Sequence, residues 1–335
     1  MDRVGLFYVD RPTARDQAKL AKYAEDKGFE GVWICETRLA RDAVSILGAA
    51  AYATEKIKLG SAVINPWTRS IALIALTWAT LDELSNGRAI LGLGAYWDPL
   101  AWKQGITRRK HLTAMRECVT IVRRLLNLER VDFEGEVFQV RDLKLDLGWG
   151  VPQTPKKVPI YVGATGLRMM EVAGEIGDGV LMNFFVSTDY NKKSVEQIKK
   201  GAAKSGRKLE EIDRPQLIAV AMDEDGDKAR NAARAIVTMY LGQQPHIMKA
   251  SGLSEKRIEE IQTVLGGWPP KKGGVEEAMR LVDNSVVNML SAAGTPDECR
   301  KKVKAYVDSG CTCPLICPIT DNIVEMIDTF AEGYS

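Results

Sequence analysis

Residues 57–94 read IKLGSAVINPWTRSIALIALTWATLDELSNGRAILGLG, and this stretch decides the fold. It opens on a short apolar run, Leu59 to Ile64, with a small Ser61-Ala62 step. A proline-broken polar turn follows, Asn65 to Arg69. The run IALIALTWATLDEL then reads as a helix, and Asn86-Gly87 stops it, because a residue that accepts a left-handed conformation closes a last helical turn. RAILGLG begins a second apolar run. Strand, turn, helix, stop and strand is the repeat of a parallel sheet with helical crossovers.

The same repeat continues in both directions. VGLFYV precedes an amphipathic stretch opened by Thr13, with Asp16 three residues on as a cap signature. GVWIC, VPIYVG, DGVLMN, QLIAVAM and CTCPLIC bring the strand candidates to eight. They are short, apolar and β-branched, as strands buried on both faces should be. Eight strand–helix units predict one α/β domain over residues 1–335, a (β/α)8 TIM barrel. A doubly wound sheet is the rival, and it is expected to carry a Gly-rich phosphate loop after its first strand. VGLFYVDRPT has no such loop. An insertion is expected at about 95–157, holding a helix near 112–126 and the hairpin-like VDFEGEVFQV. Insertions in the βα loops of a barrel lie on its active-site face and shape a pocket.

The 335 residues are 45% hydrophobic and 27% charged, enough for a large core. A net charge of +2 is too mild to imply nucleic acid or an anionic membrane. No apolar run reaches the roughly 18 residues of a membrane span. MDRVGLFYVD leads straight into a strand, so no signal peptide is expected. Six cysteines in a chain this long do not make a disulfide scaffold. The composition predicts a soluble cytoplasmic protein with reduced thiols.

In a barrel, chemistry belongs to the loops at the C-terminal strand ends. Glu36, Thr37 and Arg38 follow strand two; they bind a ring edge or a substrate, or form a solvated loop with a surface ion pair. Asn65 to Arg69 follow strand three and either serve the site or merely reverse the chain, with Pro66 fixing the turn. After strand four, Gly92 and Gly94 do not complete a dinucleotide fingerprint. Small residues there admit a flat ligand close to the backbone, with Tyr96 and Trp97 as walls, or else they pack against a helix. After strand five, Gly163, Ala164, Thr165 and Gly166 offer N–H groups and a hydroxyl where a helix begins near Leu167 or Arg168, an arrangement suited to phosphate. Cys311, Cys313 and Cys317 read as small apolar residues in or near strand eight. Zinc would need a fourth ligand, and only His111 and His246 exist, far off in sequence. No metal site is expected. DEDGDKARNAAR lacks calcium-loop spacing and reads as a capped surface helix.

TLDELSNGRAILGLG, Thr80 to Gly94, resembles the bacterial-luciferase-like superfamily of flavin and deazaflavin enzymes, and within it the methylene-tetrahydromethanopterin reductases, which use coenzyme F420. IKLGSAVINPWTRS, LTAMRECVTIVRRLL with VDFEGEVF, VPIYVGATGLRMMEVAGEIGDGVLMN and AGTPDECRKKVKAYVDSGCT extend the resemblance over nearly the whole length. It implies a barrel with long insertions on its top face. It also implies a non-prolyl cis peptide at Ala62–Val63, forming a bulge that backs the cofactor ring. Asn65 and Thr68 would serve the ring or the pocket edge. Thr37, Gly94, Tyr96 and Asn183 join the implied cofactor contacts, and Gly163 to Leu167 match a phosphate-side loop.

Three positions depart from the resembling reductases. They carry a glutamate in strand one, two residues after the glycine; here Gly5 is followed by Leu6 and Phe7. They carry Asp-His after strand two, where Glu36-Thr37 stands here. After strand four they place an acid where this chain has Trp97, with Asp98 next to it. An acid near the reacting group assists by roughly 10²–10⁴-fold. Glu36 is the first choice for that role and Asp98 the second. The expected activity is hydride transfer between the deazaflavin and a small organic substrate, such as a pterin-like one-carbon carrier. The alternatives are FMN or NAD(P)H on the same scaffold, including a monooxygenase, and a degenerate barrel that binds without turnover. The expected partner is a small molecule, with no nucleic acid and no membrane. Barrels of this kind often form homodimers, although no patch for one can be read in the sequence.

Overall fold

The structure is a computed structural model and describes residues 2–334. All eight expected strands are present, each followed by at least one helix, in a (β/α)8 TIM barrel. The chain divides into two compact units, one made of Leu6–Leu181 with Gln197–Asp213 and the other of residues 2–5, Met182–Glu196 and 214–334.

In the first unit, β1 (Gly5–Tyr8), β2 (Gly31–Ile34), β3 (Lys58–Ser61) and β4 (Ala89–Gly94) alternate with α1 (Ala14–Asp26), α2 (Ala43–Ala53) and α3 (Ile71–Leu84). The helices start where capping chemistry is available. The Thr13, Asp42 and Ser70 side chains accept from backbone N–H groups in the first turns of α1, α2 and α3. The stretch between β4 and the next barrel strand holds α4 (Asp98–Lys103), α5 (His111–Leu126) and the hairpin β5 (Val131–Glu134) with β6 (Gln139–Leu143). Glu117 of α5 holds that hairpin: its carboxylate accepts from Glu136, Val137 and Phe138 N–H at 2.7, 3.0 and 2.8 Å. The parallel sheet continues with β7 (Ile160–Ala164), α6 (Leu167–Ile176) and β8 (Gly179–Met182).

Large and small residues alternate across these strands. Trp33 of β2 lies over Gly60 of β3, where a Cβ would come within 2.2 Å of its ring. The Trp33 and Tyr161 rings are 5.6 Å apart, and Tyr161 in turn fills the space above Gly179. Interdigitation of this kind fills a barrel interior without voids.

The second unit holds α8 (Gly226–Gln243) and the parallel strands β9 (Pro215–Met222), β10 (Ala292–Gly294) and β11 (Cys313–Pro318), with β9 between the other two. Between β8 and β9 the chain forms α7 (Thr188–Lys204). Cys313 and Cys317 are buried within β11. β10 was not among the expected strands: three small residues carry no periodicity to read. A buried amide network braces the second unit, with Asn191 Nδ2 donating to Ser309 Oγ at 3.1 Å and Gln216 Nε2 to Asn191 Oδ1 at 3.0 Å. Among the described residues no helix is long and apolar enough to cross a membrane.

Candidate functional site

Residues 57–94 hold the centre of the candidate site. β3 leaves the ladder after Ser61, and the Ser61 hydroxyl makes up the lost bonds, donating to Gly92 O at 2.8 Å and accepting from Gly92 N at 3.0 Å. Pairing then resumes: Ile64 N donates to Gly92 O at 3.0 Å and Gly94 N to Ile64 O at 2.8 Å. Between these points the Ala62–Val63 peptide is cis. The excursion seats Val63 over two facing glycines, Gly94 of β4 and Gly163 of β7, which are partners in register. A Cβ on Gly94 would come within 2.4 Å of Val63 Cγ2, and one on Gly163 within 2.8 Å of Val63 Cγ1. A Cβ on Gly92 would meet the Ser61 carbonyl at 1.8 Å. These glycines therefore make room for the β3 excursion. Val63 is half-buried and forms a small apolar floor.

Around this floor the loops after β1 to β4 are tied one to the next. Asp10, after β1, pairs with Arg38, after β2. Glu36, also after β2, accepts from Arg69 Nη2 at 3.0 Å and Nε at 3.4 Å, and from Ala43 N at 3.2 Å. Arg69 also pairs with Asp42, the N-cap of α2. Burial opposes the charge on Asp42, but bonds from Ser45 and the Arg69 guanidinium more than offset it and hold its carboxyl below the usual value. Asn65 shapes the next loop, its Oδ1 accepting from Trp67 N and Thr68 N at 3.0 Å each. Trp67 Nε1 then donates to Ala95 O, after β4, at 3.2 Å.

In the β4 loop, Arg108 donates to Tyr96 O at 2.7 Å and to Asp98 Oδ1 at 2.6 Å. Tyr96 has a φ of +67°, and its hydroxyl accepts from Gln104 Nε2. The Asp98 side chain is 74% exposed. The hydrogen bond from Arg108 holds its carboxyl below the usual range, against burial and with help from the charges of Arg108 and His111. Thr37 is half-buried beside Glu36.

Beyond Gly163, the chain passes through Ala164 and exposed Thr165 to Gly166, the N-cap of α6. No side chain caps this end, and Leu167 is exposed at its first turn. Unfilled N–H groups with the positive end of a helix dipole suit an anion. Asn183 belongs to the second unit, where its Nδ2 donates to Tyr240 OH at 2.6 Å and its carbonyl accepts from Gln216 Nε2 at 3.2 Å. Phe184, Phe185 and Tyr240 pack together beside it, with ring centroids 4.7 to 5.0 Å apart. Among the described residues no three His, Cys, Asp or Glu side chains gather as a metal cluster.

A family model described as luciferase-like monooxygenase matches residues 2–313. The chain belongs to that family. It is 36% identical to a 5,10-methylenetetrahydromethanopterin reductase of Archaeoglobus fulgidus, over 92% of this chain and 91% of that one. It is 33% identical to an F420-dependent glucose-6-phosphate dehydrogenase of Kineococcus radiotolerans, over 88% and 84%. The solved structure of the coenzyme F420-dependent tetrahydromethanopterin reductase from Methanopyrus kandleri superposes with a TM-score of 0.87 at 29% identity, covering 99% of this chain and 97% of that one.

As a member of the luciferase-like monooxygenase family, the chain is an oxidoreductase on a TIM barrel. Within that family scaffold the sequence reading missed Asp10, Asp42 and Arg108. Each sits in a loop whose residue types also suit an ordinary turn, and only the fold brings Arg38, Arg69 and Asp98 to them.

Proposed function

We propose that the chain is a coenzyme F420-dependent oxidoreductase that transfers hydride between the deazaflavin and a small, pterin-like one-carbon substrate. The observation that carries this reading is the Val63 floor over Gly94 and Gly163, continuous along β7 with the uncapped start of α6. A flat ring and a phosphate joined by a short linker fit that sequence of features, and the likeness to the F420-dependent reductases supports it.

The bound deazaflavin would supply the hydride. The chain's own residues do the rest. Ala62 and Val63 present the apolar face against the ring and exclude water from it. The backbone N–H groups from Gly163 to Leu167 hold the phosphate. Asn65 fixes the β3 loop, and Thr37 and Tyr96 border the ring. Glu36 is a positioned acceptor: its oxygens already take N–H groups from Arg69 and Ala43, so it orients neighbours at the ring edge. Asp98, depressed by Arg108 and largely exposed, carries charge at the mouth and is a poor proton donor at neutral pH.

Titration of the purified protein with coenzyme F420, FMN, NADH and NADPH, followed by fluorescence, tests the cofactor. Binding of F420 alone in the micromolar range or tighter is the expected result, and preferential binding of FMN or a nicotinamide refutes it. Turnover of 5,10-methylenetetrahydromethanopterin, with glucose 6-phosphate as the competing probe, tests the substrate.

A further inference from the structure

The carboxylates in the loops after β1, β2 and β4 differ in what is left for a ligand. Glu36 is engaged at both oxygens, and Asp98 is paired and largely exposed. Asp10 is split. One oxygen pairs with Arg38, while Oδ1 is buried and has no hydrogen-bond partner among the described residues, although the side chain as a whole is 44% exposed. A buried acceptor without a donor is rare in native proteins, which fill it with protein, water or ligand. Cys35 adjoins it electrostatically; burial and then the Asp10 charge push its thiol up to about 12, so it offers only a weak S–H.

The position matches the floor. Cys35 N donates to Tyr8 O at 3.0 Å and Ala62 N to Ile34 O at 2.8 Å, so the ends of β1, β2 and β3 stand at one level. Asp10 lies two residues past Tyr8, and Val63 one past Ala62. β1 and β3 are two strand spacings apart, about 10 Å, a gap that a fused ring system spans. A carboxylate at that distance meets the edge of a ring lying on Val63, and edge atoms are where in-plane N–H groups point.

We propose that Asp10 Oδ1 accepts a hydrogen bond from the lactam N–H edge of a fused heteroaromatic ring bound at these loops, an inference that rests on the cofactor and substrate reading above. Deazaflavin and pterin rings both carry such an edge. Arg38 fixes which oxygen of Asp10 is free, and so acts as a positioning residue.

The test is titration of the full-length protein with coenzyme F420 and, separately, with tetrahydromethanopterin, in wild type, Asp10→Asn and Asp10→Ser, with thermal unfolding of each. Arg38 requires an acceptor on its side, so the Asn amide must turn its NH2 toward the ring N–H. Donor then faces donor, whereas Ser leaves room for water. Loss of a charge-assisted hydrogen bond predicts about ten- to hundredfold weaker binding of one probe to Asp10→Asn. Asp10→Ser should weaken the same probe less. A purely structural role gives the opposite order, since Asn is the closer isostere. The probe that loses affinity identifies the ring. Affinities of both variants within about twofold of wild type for both probes, or Ser worse than Asn, overturn the proposal. Failure of the wild type to bind either probe marks the failure of the cofactor reading itself, and the proposal falls with it.

Discussion

Gly94→Ala is expected to destabilise the protein through one contact, and Val63→Ala is expected to cancel the effect. The added Cβ would stand 2.4 Å from Val63 Cγ2, against an optimal carbon–carbon separation of about 3.5–4.0 Å. Val63 cannot swing away freely, because its other methyl already lies over Gly163, where a Cβ would be 2.8 Å distant. Overpacking of this kind costs about 1–3 kcal/mol. The backbone opposes it: Gly94 is not among the left-handed residues, so alanine there removes unfolded-state freedom worth about 0.4–1 kcal/mol. The net expectation is a loss of up to about 2.6 kcal/mol. Val63→Ala alone removes two half-buried methyl groups, costing about 1 kcal/mol. In the double variant the overlap is gone, so the two changes should couple favourably by about 1–3 kcal/mol. Gly163→Ala should show the same coupling with a smaller amplitude. Urea denaturation at constant m-value reads all of these variants. Additivity within about 0.5 kcal/mol would refute the reasoning: Val63 would then have room to move, and the glycines would need another explanation, such as close approach of a ligand.

Ser61→Ala leaves the buried Gly92 N–H without its hydroxyl partner, while Gly92 O keeps Ile64 N, and should cost about 1–3 kcal/mol with faster hydrogen exchange at the Gly92 amide. Arg69→Gln should cost about 1–3 kcal/mol, because it strips the guanidinium from both Glu36 and Asp42 at a site only 17% exposed; an unchanged urea midpoint would contradict the bridging role. Glu25 accepts from Glu55, Lys56 and Ile57 N–H; burial raises its carboxyl, but these bonds more than offset that and bring it to about 2, from an ordinary 4.5. Its stabilisation, about 2–3 kcal/mol, is present at neutral pH and lost as pH falls from about 4.5 through 2, so Glu25→Gln should flatten the acid limb of a stability–pH curve. Burial pushes the Lys302 amine down to about 8 from 10.5, so the folded state holds fewer protons between these values and stability rises with pH there. Lys302→Met should raise the thermal midpoint at pH 7 and remove that rise; a lowered midpoint would mean that the Met289 carbonyl and Tyr306 ring contacts outweigh the desolvation.

The strands were legible because a parallel strand buried on both faces is an apolar run with polar stops, and that property is local. The helix α5 and the β5–β6 hairpin were legible as a periodic run and a charged hairpin. β10 was not, since Ala292 to Gly294 have neither β-branching nor alternation and hold their place only through pairing with Val220 to Met222. The glycines of β4 were visible as small residues, but what fills the space above them comes from the end of β3 and the turn after it, 31 residues earlier both for Gly92 against Ser61 and for Gly94 against Val63. Glu36 likewise stands out as an acid at a strand end. Its engagement by Arg69 links residues 33 apart in sequence, and no spacing rule joins them.

That engagement changes what the family resemblance can carry. Asp10 with Arg38, Glu36 with Arg69, Trp67 with Ala95, and Arg108 with Tyr96 and Asp98 form a chain of contacts in which each loop is held by its neighbour. A carboxylate that braces a loop is fixed by its cation, and a fixed acceptor orients a ligand better than it delivers a proton. Two of the three acids in this chain of contacts are committed in that way. Asp10 alone keeps a buried oxygen open, and it lies on the β1 loop, three residues past Phe7. On the proposed reading, polar recognition of the ring passes from a position within β1 to Asp10 in the loop that follows it, because the loops, not the strands, set which carboxylate is left uncommitted.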